Sequence, residues 1–357
     1  MQDSRAVSYE GAATAIDDWL PDGVVPLRVK SVIRETHDAI SIVLDVPESS
    51  AQQFDYRAGQ FVTLRVRVDG QQYQRCYSMS STPTLGDDLR ITVKRDRDGV
   101  VSNWLNDTAA PGQTIHAAPP RGRFVLKETD RPLIAFAGGS GITPVFSLLR
   151  SALASTTRDT RLFYANRNRD SVIFDAALAE VRDRHPGRFA LQHHLDEASG
   201  IVTPGQVETF IAHAGDADYY ICGPGPFMDT VETTLRAAAV PAERVYLERF
   251  SAAPTPLAFT IDPGGVVTEE VIIELDRCIT TVTYCPGDTL LQTARMAGLR
   301  APSSCEVGSC GTCVARVTEG CARMINNDAL EDDEVEEGWV LTCQALPTSH
   351  TVRVVYE

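Results

Sequence analysis

Four cysteines constrain this chain more than any other feature. Cys305, Cys310 and Cys313 fall within nine residues, in the stretch SSCEVGSCGTC, and Cys343 follows after a gap of 29. Three thiols so close can meet at one point only if the loop bends sharply. Gly308 and Gly311 allow that, because glycine tolerates positive φ and lets backbone N–H groups approach sulfur. Disulfides, zinc and an iron–sulfur cluster all use crowded cysteines. The total of nine is odd, and the N-terminus MQDSRAVSYEGAATAIDDWL lacks the basic start and apolar stretch of a secretory signal. A cytoplasmic, reducing location is the expectation, and there metal or redox use outweighs disulfides. Structural zinc usually takes paired C-x2-C hooks. The pattern C-x4-C-x2-C…C is instead the plant-type [2Fe–2S] spacing. Cys305, Cys310, Cys313 and Cys343 are therefore the expected metal ligands, with zinc as the alternative. Cys278, Cys285 and Cys321 lie outside the pattern and are expected to be structural.

At 357 residues the chain is long enough for two or three domains. No run approaches the ~18 apolar residues of a membrane span, so no membrane insertion is expected. A net charge of −15 excludes a nucleic-acid partner, whose phosphates demand Lys and Arg. From Val271 to Glu357, 13 acids face 6 arginines. That concentration reads either as a solvated face or as a steering surface for a basic protein partner.

The periodicity changes twice along the chain. Residues 1–24 show little pattern and read as a tail. Over 25–127, short runs such as LRVKSVI, AISIVLDV, QFVTLRVRV, QRCYSMS and LRITVKR are separated by turn signals, which predicts an antiparallel β-barrel. Over 128–250, the apolar runs PLIAFAG, RLFYANR, FALQHHL, DYYICGP and RVYLERF alternate with helix-period stretches. That predicts an α/β domain with a parallel sheet, whose ligands sit at the carboxyl ends of the strands. A Pro- and Gly-rich stretch at 251–265 reads as a linker, and 266–357 holds the cysteines.

Three local patterns point to ligands. In RCYSMSS, Arg75 and Tyr77 share one face of a strand beside Ser78, which suits a flat anionic ligand, although a strand of mixed polarity explains it as well. In AFAGGSGITPVFSLL, a strand runs into Gly138, Gly139 and Gly141. Thr143 is placed as N-cap and Pro144 at the first helical position, making an anion site at a helix N-terminus. Pro144 stands where the last glycine of G-x-G-x-x-G would be, so this is not that fingerprint. In YANRNRD, Asn166, Arg167 and Arg169 occupy the end of the second strand, where an NAD enzyme usually places an acid, which by charge favours a 2′-phosphate.

Taken in order, these stretches resemble the ferredoxin–NADP reductase superfamily, followed by a plant-type ferredoxin domain of β-grasp (α+β) fold. The resemblance covers nearly the whole chain after residue 25. It implies flavin binding by Gln60 of the GQF stretch and by Arg75, Tyr77 and Ser78, with Arg on phosphate, Tyr on the ring and Ser on a ring nitrogen. It also implies a pyrophosphate loop at Gly99, Val100, Val101 and Ser102, hence FAD rather than FMN. For the nicotinamide nucleotide it implies Gly138, Gly139, Gly141, Ile142, Thr143 and Pro144. Cys222, Gly223 and Pro224 would place a thiol near the nicotinamide. Phe250 would lie opposite Tyr77 on the flavin, with Glu248 near the rings. Relatives with a similar Ala-Asn-Arg stretch use NADH, so NADH is expected against the charge argument, with NADPH open.

The resemblance further implies the reductase component of a multicomponent oxygenase, moving electrons from NAD(P)H through FAD and the cluster to a terminal oxygenase. ANRNRDSVIF and MINNDALEDDEVEEGWVLTCQ tilt the expectation towards a Rieske-type steroid 9α-hydroxylase. The alternatives are a di-iron enzyme of the phenylacetyl-CoA epoxidase type, a cytochrome P450, a free ferredoxin, or a non-catalytic redox sensor. A monomer is expected.

Overall fold

The computed structural model describes residues 24–250, 268–303, 308, 311–327 and 329–356. The tail up to residue 23, the linker at 251–265, Cys305 and Cys310 lie outside the described residues.

The first unit is an antiparallel six-stranded sheet. Its strands are β1 (Val25–Thr36), β2 (Ala39–Asp45), β3 (Phe61–Val68), β4 (Gln71–Ser78), β5 (Arg90–Lys94) and β6 (Thr114–Arg121). The order is β4-β3-β6-β1-β2-β5. A bridge between Met79 and Ile91 joins the two edge strands, so the sheet curls into the expected barrel. Alternation builds its core: Leu64 and Val66 of β3 are buried while Arg67 is exposed. Strand β6 carries Pro119 and Pro120 and was not among the expected runs. They fall in a register shift, where Ala118 pairs with Thr63 and Arg121 with Phe61, so neither proline has to donate to the ladder. Helix α1 (Val100–Thr108) follows β5.

The second unit is a parallel five-stranded sheet, order β11-β10-β7-β8-β9. The strands are β7 (Leu133–Gly138), β8 (Thr160–Asn166), β9 (Phe189–Leu195), β10 (Asp218–Gly223) and β11 (Val245–Arg249). All five match expected apolar runs. The central strands β7 and β10 are buried along their whole length, as a sheet covered on both faces requires. Helices α2 (Ile142–Ser155), α3 (Asp175–Arg184), α4 (Pro204–Ile211) and α5 (Gly225–Ala237) lie between the strands. Asp218, at 0% exposure, starts β10 and accepts from Arg158 Nη2 at 2.7 Å, Arg131 Nε at 3.3 Å and the Thr129 hydroxyl. Three donors on one buried carboxylate tie the segment entering the sheet to its centre.

The third unit is a five-stranded mixed sheet in which β12 (Glu270–Leu275) pairs antiparallel with β13 (Cys278–Thr283) and parallel with the last strand. It continues through β14 (Val314–Glu319), β16 (Trp339–Leu341) and β18 (Thr351–Val355), with β15 (Ala322–Met324) and β17 (Ala345–Pro347) as a separate pair. Helix α6 (Leu290–Met296) lays Leu290 and Ala294 on this sheet. Thr289 caps it, accepting from Gln292 N at 3.2 Å. The acid-rich stretch forms the short helix α7 (Asp332–Glu336). Among the described residues no helix is long and apolar enough to cross a membrane.

Candidate functional site

On the barrel, β4 presents the flavin candidates in register with β3: Tyr77 opposite Val62 and Ser78 opposite Phe61. Burial pushes the Tyr77 phenol up, so the ring stays neutral over the physiological range. Ser78 is buried. Arg75 Nη1 donates to Gln74 O at 2.7 Å, and its guanidinium lies 5.8 Å from the Tyr73 ring centroid. Cys76 turns to the other side, with Sγ 3.4 Å from Thr63 Oγ1. Gln60 serves as a brace. Its Nε2 donates to Gly122 O at 3.2 Å, its Oε1 accepts from Arg57 N at 2.8 Å, and its carbonyl accepts from Met79 N at 3.0 Å.

The expected pyrophosphate loop is the start of helix α1. Gly99 is its N-cap, so the first N–H groups at Val100, Val101 and Ser102 belong to a helix N-terminus. Ser102 Oγ accepts from Asp96 N at 3.2 Å and donates to Gly99 O at 3.3 Å. A Cβ on Gly99 would stand 2.3 Å from that Oγ and 2.8 Å from Asp96 Cβ, so a larger residue would crowd this turn. The local geometry therefore fits a phosphate.

On the parallel sheet, strand β7 ends at Gly138, and Gly139–Gly141 make one tight turn into α2. The helix begins two residues earlier than expected. Gly141 is the N-cap, Thr143 is the second helical residue and its hydroxyl donates to Ser140 O at 3.0 Å. Pro144 is the third, where a missing N–H costs nothing because the first turn has no intrahelical acceptor. The glycine turn and Cys222-Gly223-Pro224 are pressed together. A Cβ on Gly141 would lie 2.1 Å from Cys222 O, one on Gly138 2.7 Å from Pro224 Cδ, and one on Gly223 2.9 Å from Gly138 Cα. A concave backbone without side chains is thereby held at the carboxyl ends of β7 and β10, as an approaching pyrophosphate needs.

Cys222 is fully buried and pairs with Glu248 across β10 and β11. Burial, then the nearby Glu248 carboxylate, pushes its thiol up. It is a neutral wall, not a thiolate. Phe250 follows β11 and is 46% exposed, while Arg249 before it binds Asp229 and Glu232 at 2.9 and 2.8 Å.

Polar contacts from α2 fix the flavin and nucleotide sides to each other. Ser147 Oγ donates to Ser81 O at 2.5 Å, Ser151 Oγ lies 3.2 Å from Thr84 Oγ1, and Arg150 Nη1 donates to Asp87 Oδ2 at 2.5 Å. The helix that starts at the glycine turn thus grips the segment that leaves β4.

Sequence reading missed Lys94 and Asp38. Lys94, at the end of β5, places Nζ 3.7 Å from where a Cβ on Gly139 would stand. Asp38 Oδ2 lies 3.8 Å from that Nζ and accepts from Arg167 Nη2 at 3.0 Å. An isolated Lys and Asp carry no local pattern, so only the tertiary fold reveals them. By charge, the arginines after β8 were expected to favour a 2′-phosphate. Instead Arg167 meets Asp38, and Arg169 Nη2 donates to Asp175 Oδ2 at 2.8 Å. Asn166 is buried, with its amide beside the Tyr164 hydroxyl.

In the third unit, Cys313 and Cys343 are buried in one cluster with Leu291, Ala329, Leu330 and Leu341. Thr342 N and Oγ1 both donate to Cys313 O, at 3.1 and 2.9 Å, which ties the two cysteine segments together. Gly308 (φ 89°) and Gly311 (φ 70°) take the positive φ the sequence calls for. A Cβ on Gly308 would stand 2.9 Å from Asn326 O. Two buried cysteines converging beside a glycine-bent loop fit a metal cluster. Cys278, Cys285 and Cys321 are exposed, which corrects the expectation that they pack structurally.

Comparison with known proteins agrees with this arrangement. Residues 26–126 match the oxidoreductase FAD-binding domain, 135–233 the oxidoreductase NAD-binding domain and 274–348 the 2Fe-2S iron–sulfur cluster binding domain. The chain is 39% identical over 350 residues to the ferredoxin reductase component of 3-ketosteroid-9-alpha-monooxygenase from Mycolicibacterium smegmatis, covering 96% of this chain and 99% of that one. It is 30% identical to a component of the 1,2-phenylacetyl-CoA epoxidase of Escherichia coli strain K12, covering 93% and 97%. It is also similar to the solved structure of phthalate dioxygenase reductase, described as modular for electron transfer from pyridine nucleotides to [2Fe–2S]. The TM-score is 0.62 at 25% identity, over 94% of this chain and 98% of that one. The [2Fe–2S] reading of the cysteines thus stands over zinc, and the chain belongs to the ferredoxin reductase family in which FAD-binding, NAD-binding and [2Fe–2S] domains follow one another in a single polypeptide.

Proposed function

We propose that this chain is the reductase component of a Rieske-type steroid 9α-oxygenase, drawing electrons from NADH. The observation that carries the reading is the 39% identity, over 96% of this chain, to the ferredoxin reductase component of 3-ketosteroid-9-alpha-monooxygenase; the grip of α2 on Cys222-Gly223-Pro224 and on the segment leaving β4 supports it. FAD, when bound, supplies the conversion of a hydride into single electrons that the [2Fe–2S] cluster can pass on.

The residues divide the work by their chemistry. With FAD bound, Arg75 and the N-terminus of α1 would hold the flavin phosphates, Tyr77 and Phe250 would cover its ring, and Ser78 would offer its hydroxyl to a ring nitrogen. Gly138, Gly139, Gly141, Ile142, Thr143 and Pro144 receive the nucleotide's pyrophosphate, with Lys94 as a neighbouring cation. Cys222, kept neutral by burial, offers the nicotinamide a small apolar wall, with Glu248 beside it. Cys305, Cys310, Cys313 and Cys343 hold the cluster. The working units are 25–127, 128–250 and 266–357, which the three separate sheets support.

The acids from Glu331 to Glu337 are exposed except Glu334, which supports a docking face for a basic oxygenase surface. Asp332, Asp333 and Glu334 also sit in the first turn of α7, where the helix dipole favours them. Glu334 additionally lies 3.6 Å from Arg123 of the barrel. The test is reconstitution: this chain, NADH, a purified steroid 9α-oxygenase and a 3-ketosteroid. Hydroxylated steroid supports the reading. Turnover only with a di-iron epoxidase component would replace it.

A further inference from the structure

We propose that Asp175, together with Asp38, makes this chain select the nicotinamide nucleotide without a 2′-phosphate, by occupying the two arginines that would otherwise bind one. The inference rests on the reading above, in which the carboxyl ends of β7, β8 and β10 receive the nucleotide.

Arg167 and Arg169 follow β8, where the adenosine end of a dinucleotide lies in a sheet of this kind. Left alone they would form a phosphate site. Each is instead committed to a carboxylate, Arg169 to Asp175 Oδ2 at 2.8 Å and Arg167 to Asp38 Oδ2 at 3.0 Å. Asp38 is well suited to its part. Burial alone would raise its pKa, but the Thr36 hydroxyl with Lys94, His37 and Arg167 outweighs that and holds it below the usual range. His193 is the third basic group here, with Nε2 3.8 Å from Asp175 Oδ1. Burial, then Arg169, lowers its pKa, so it adds no positive charge at neutral pH. A second feature marks the place as a ligand site. His193 Nδ1 is buried without a hydrogen-bond partner, and Asn166, 4% exposed, has the Tyr164 hydroxyl beside its amide. Buried polar groups are rarely left unpaired unless something else meets them. A ribose hydroxyl can donate to Asp175 or Asn166, whereas a 2′-phosphate meets the Asp175 carboxylate with like charge.

The experiment is calorimetric binding of NAD+ and of NADP+ to the oxidised holoprotein, which needs no turnover. The wild type should bind NAD+ more tightly. Asp175→Asn should raise the NADP+ to NAD+ affinity ratio by about tenfold, the scale of one charge-assisted hydrogen bond to a freed guanidinium. Adding Arg169→Ala to that variant should remove the gain, and Asp175→Glu should keep the wild-type ratio. Asp175 closes a partly exposed ion pair, so the variant should fold. Asp38→Asn provides an independent arm on Arg167. An unchanged ratio in both Asn variants, or a wild type that favours NADP+, overturns the inference while leaving the nucleotide site intact. Failure of the wild type to bind either nucleotide overturns the site itself.

Discussion

Replacing Gly141 with alanine tests how closely the nucleotide turn and β10 are fitted. Gly141 has φ −60° and ψ −12°, which any residue adopts, so the demand for glycine is purely one of space. The added Cβ would stand 2.1 Å from Cys222 O, 2.4 Å from Cys222 C and 2.6 Å from Gly223 N. Ordinary contact needs roughly 3.5 Å, so these backbones must part by about 1 Å or more. All three obstacles are main chain of a buried strand, and no rotamer change relieves them. Overpacking of this kind costs about 1–3 kcal/mol. The larger effect falls on function, since a ~1 Å displacement of a bound reactant costs about 100-fold in rate. The assay is anaerobic stopped-flow reduction of the flavin by NADH, with thermal unfolding measured alongside. Gly225→Ala is the matched control: it lies at the same carboxyl end of the sheet, at the start of α5, with nothing within 4 Å of its Cβ position. Its flavin should reduce at the wild-type rate. Wild-type reduction by Gly141→Ala would refute the claim that this turn and Cys222-Gly223-Pro224 form one nucleotide cradle.

Other expectations follow from buried charge, burial of a thiol and the cluster. Asp218→Asn leaves Arg158, at 1% side-chain exposure, without a counter-charge. It should destabilise the parallel-sheet unit by about 3–5 kcal/mol, seen as a lowered melting temperature. The raised pKa of Cys222 means that the folded protein holds the thiol proton more tightly than the unfolded chain. Its stability contribution is whole below the ordinary thiol range, near pH ~8.5, and declines above it by up to about 1.4 kcal/mol per pH unit. Denaturant midpoints at pH 8 and 10 should therefore fall more steeply for the wild type than for Cys222→Ala. Cys343→Ala should abolish the iron–sulfur absorbance and leave the flavin reducible by NADH; retained cluster signal would remove Cys343 from the ligand set.

Much of the fold was legible because its elements advertise themselves locally. The five apolar runs between 132 and 250 are central or covered strands that need no partner to be recognised. The same holds for the cysteine spacing, which is a covalent requirement written in one loop. What was lost is tertiary. Strand β6 was not among the expected runs; its Pro119 and Pro120 sit in a register shift. The start of α1 was expected as a loop because the resemblance implies one at Gly99–Ser102, whereas the structure makes Gly99 the N-cap of a helix. Helix α4 carried a readable signal that was passed over: Thr203 and Gln206 form a capping box with Pro204 at the first position. The charge reading of YANRNRD was incomplete for a different reason. The acids that meet its arginines come from Asp38 and Asp175, outside the stretch. Local charge is a poor guide where the fold can bring a carboxylate from another unit.

The most direct test of the central claim is an anaerobic absorbance titration of the purified holoprotein with NADH, followed by NADPH on a fresh sample. Loss of the flavin bands together with the broad iron–sulfur absorbance, at lower nucleotide concentration for NADH, is the predicted result. A flavin that bleaches while the iron–sulfur absorbance persists would break the internal electron path, and a protein that holds no flavin after reconstitution would contradict the account at its base.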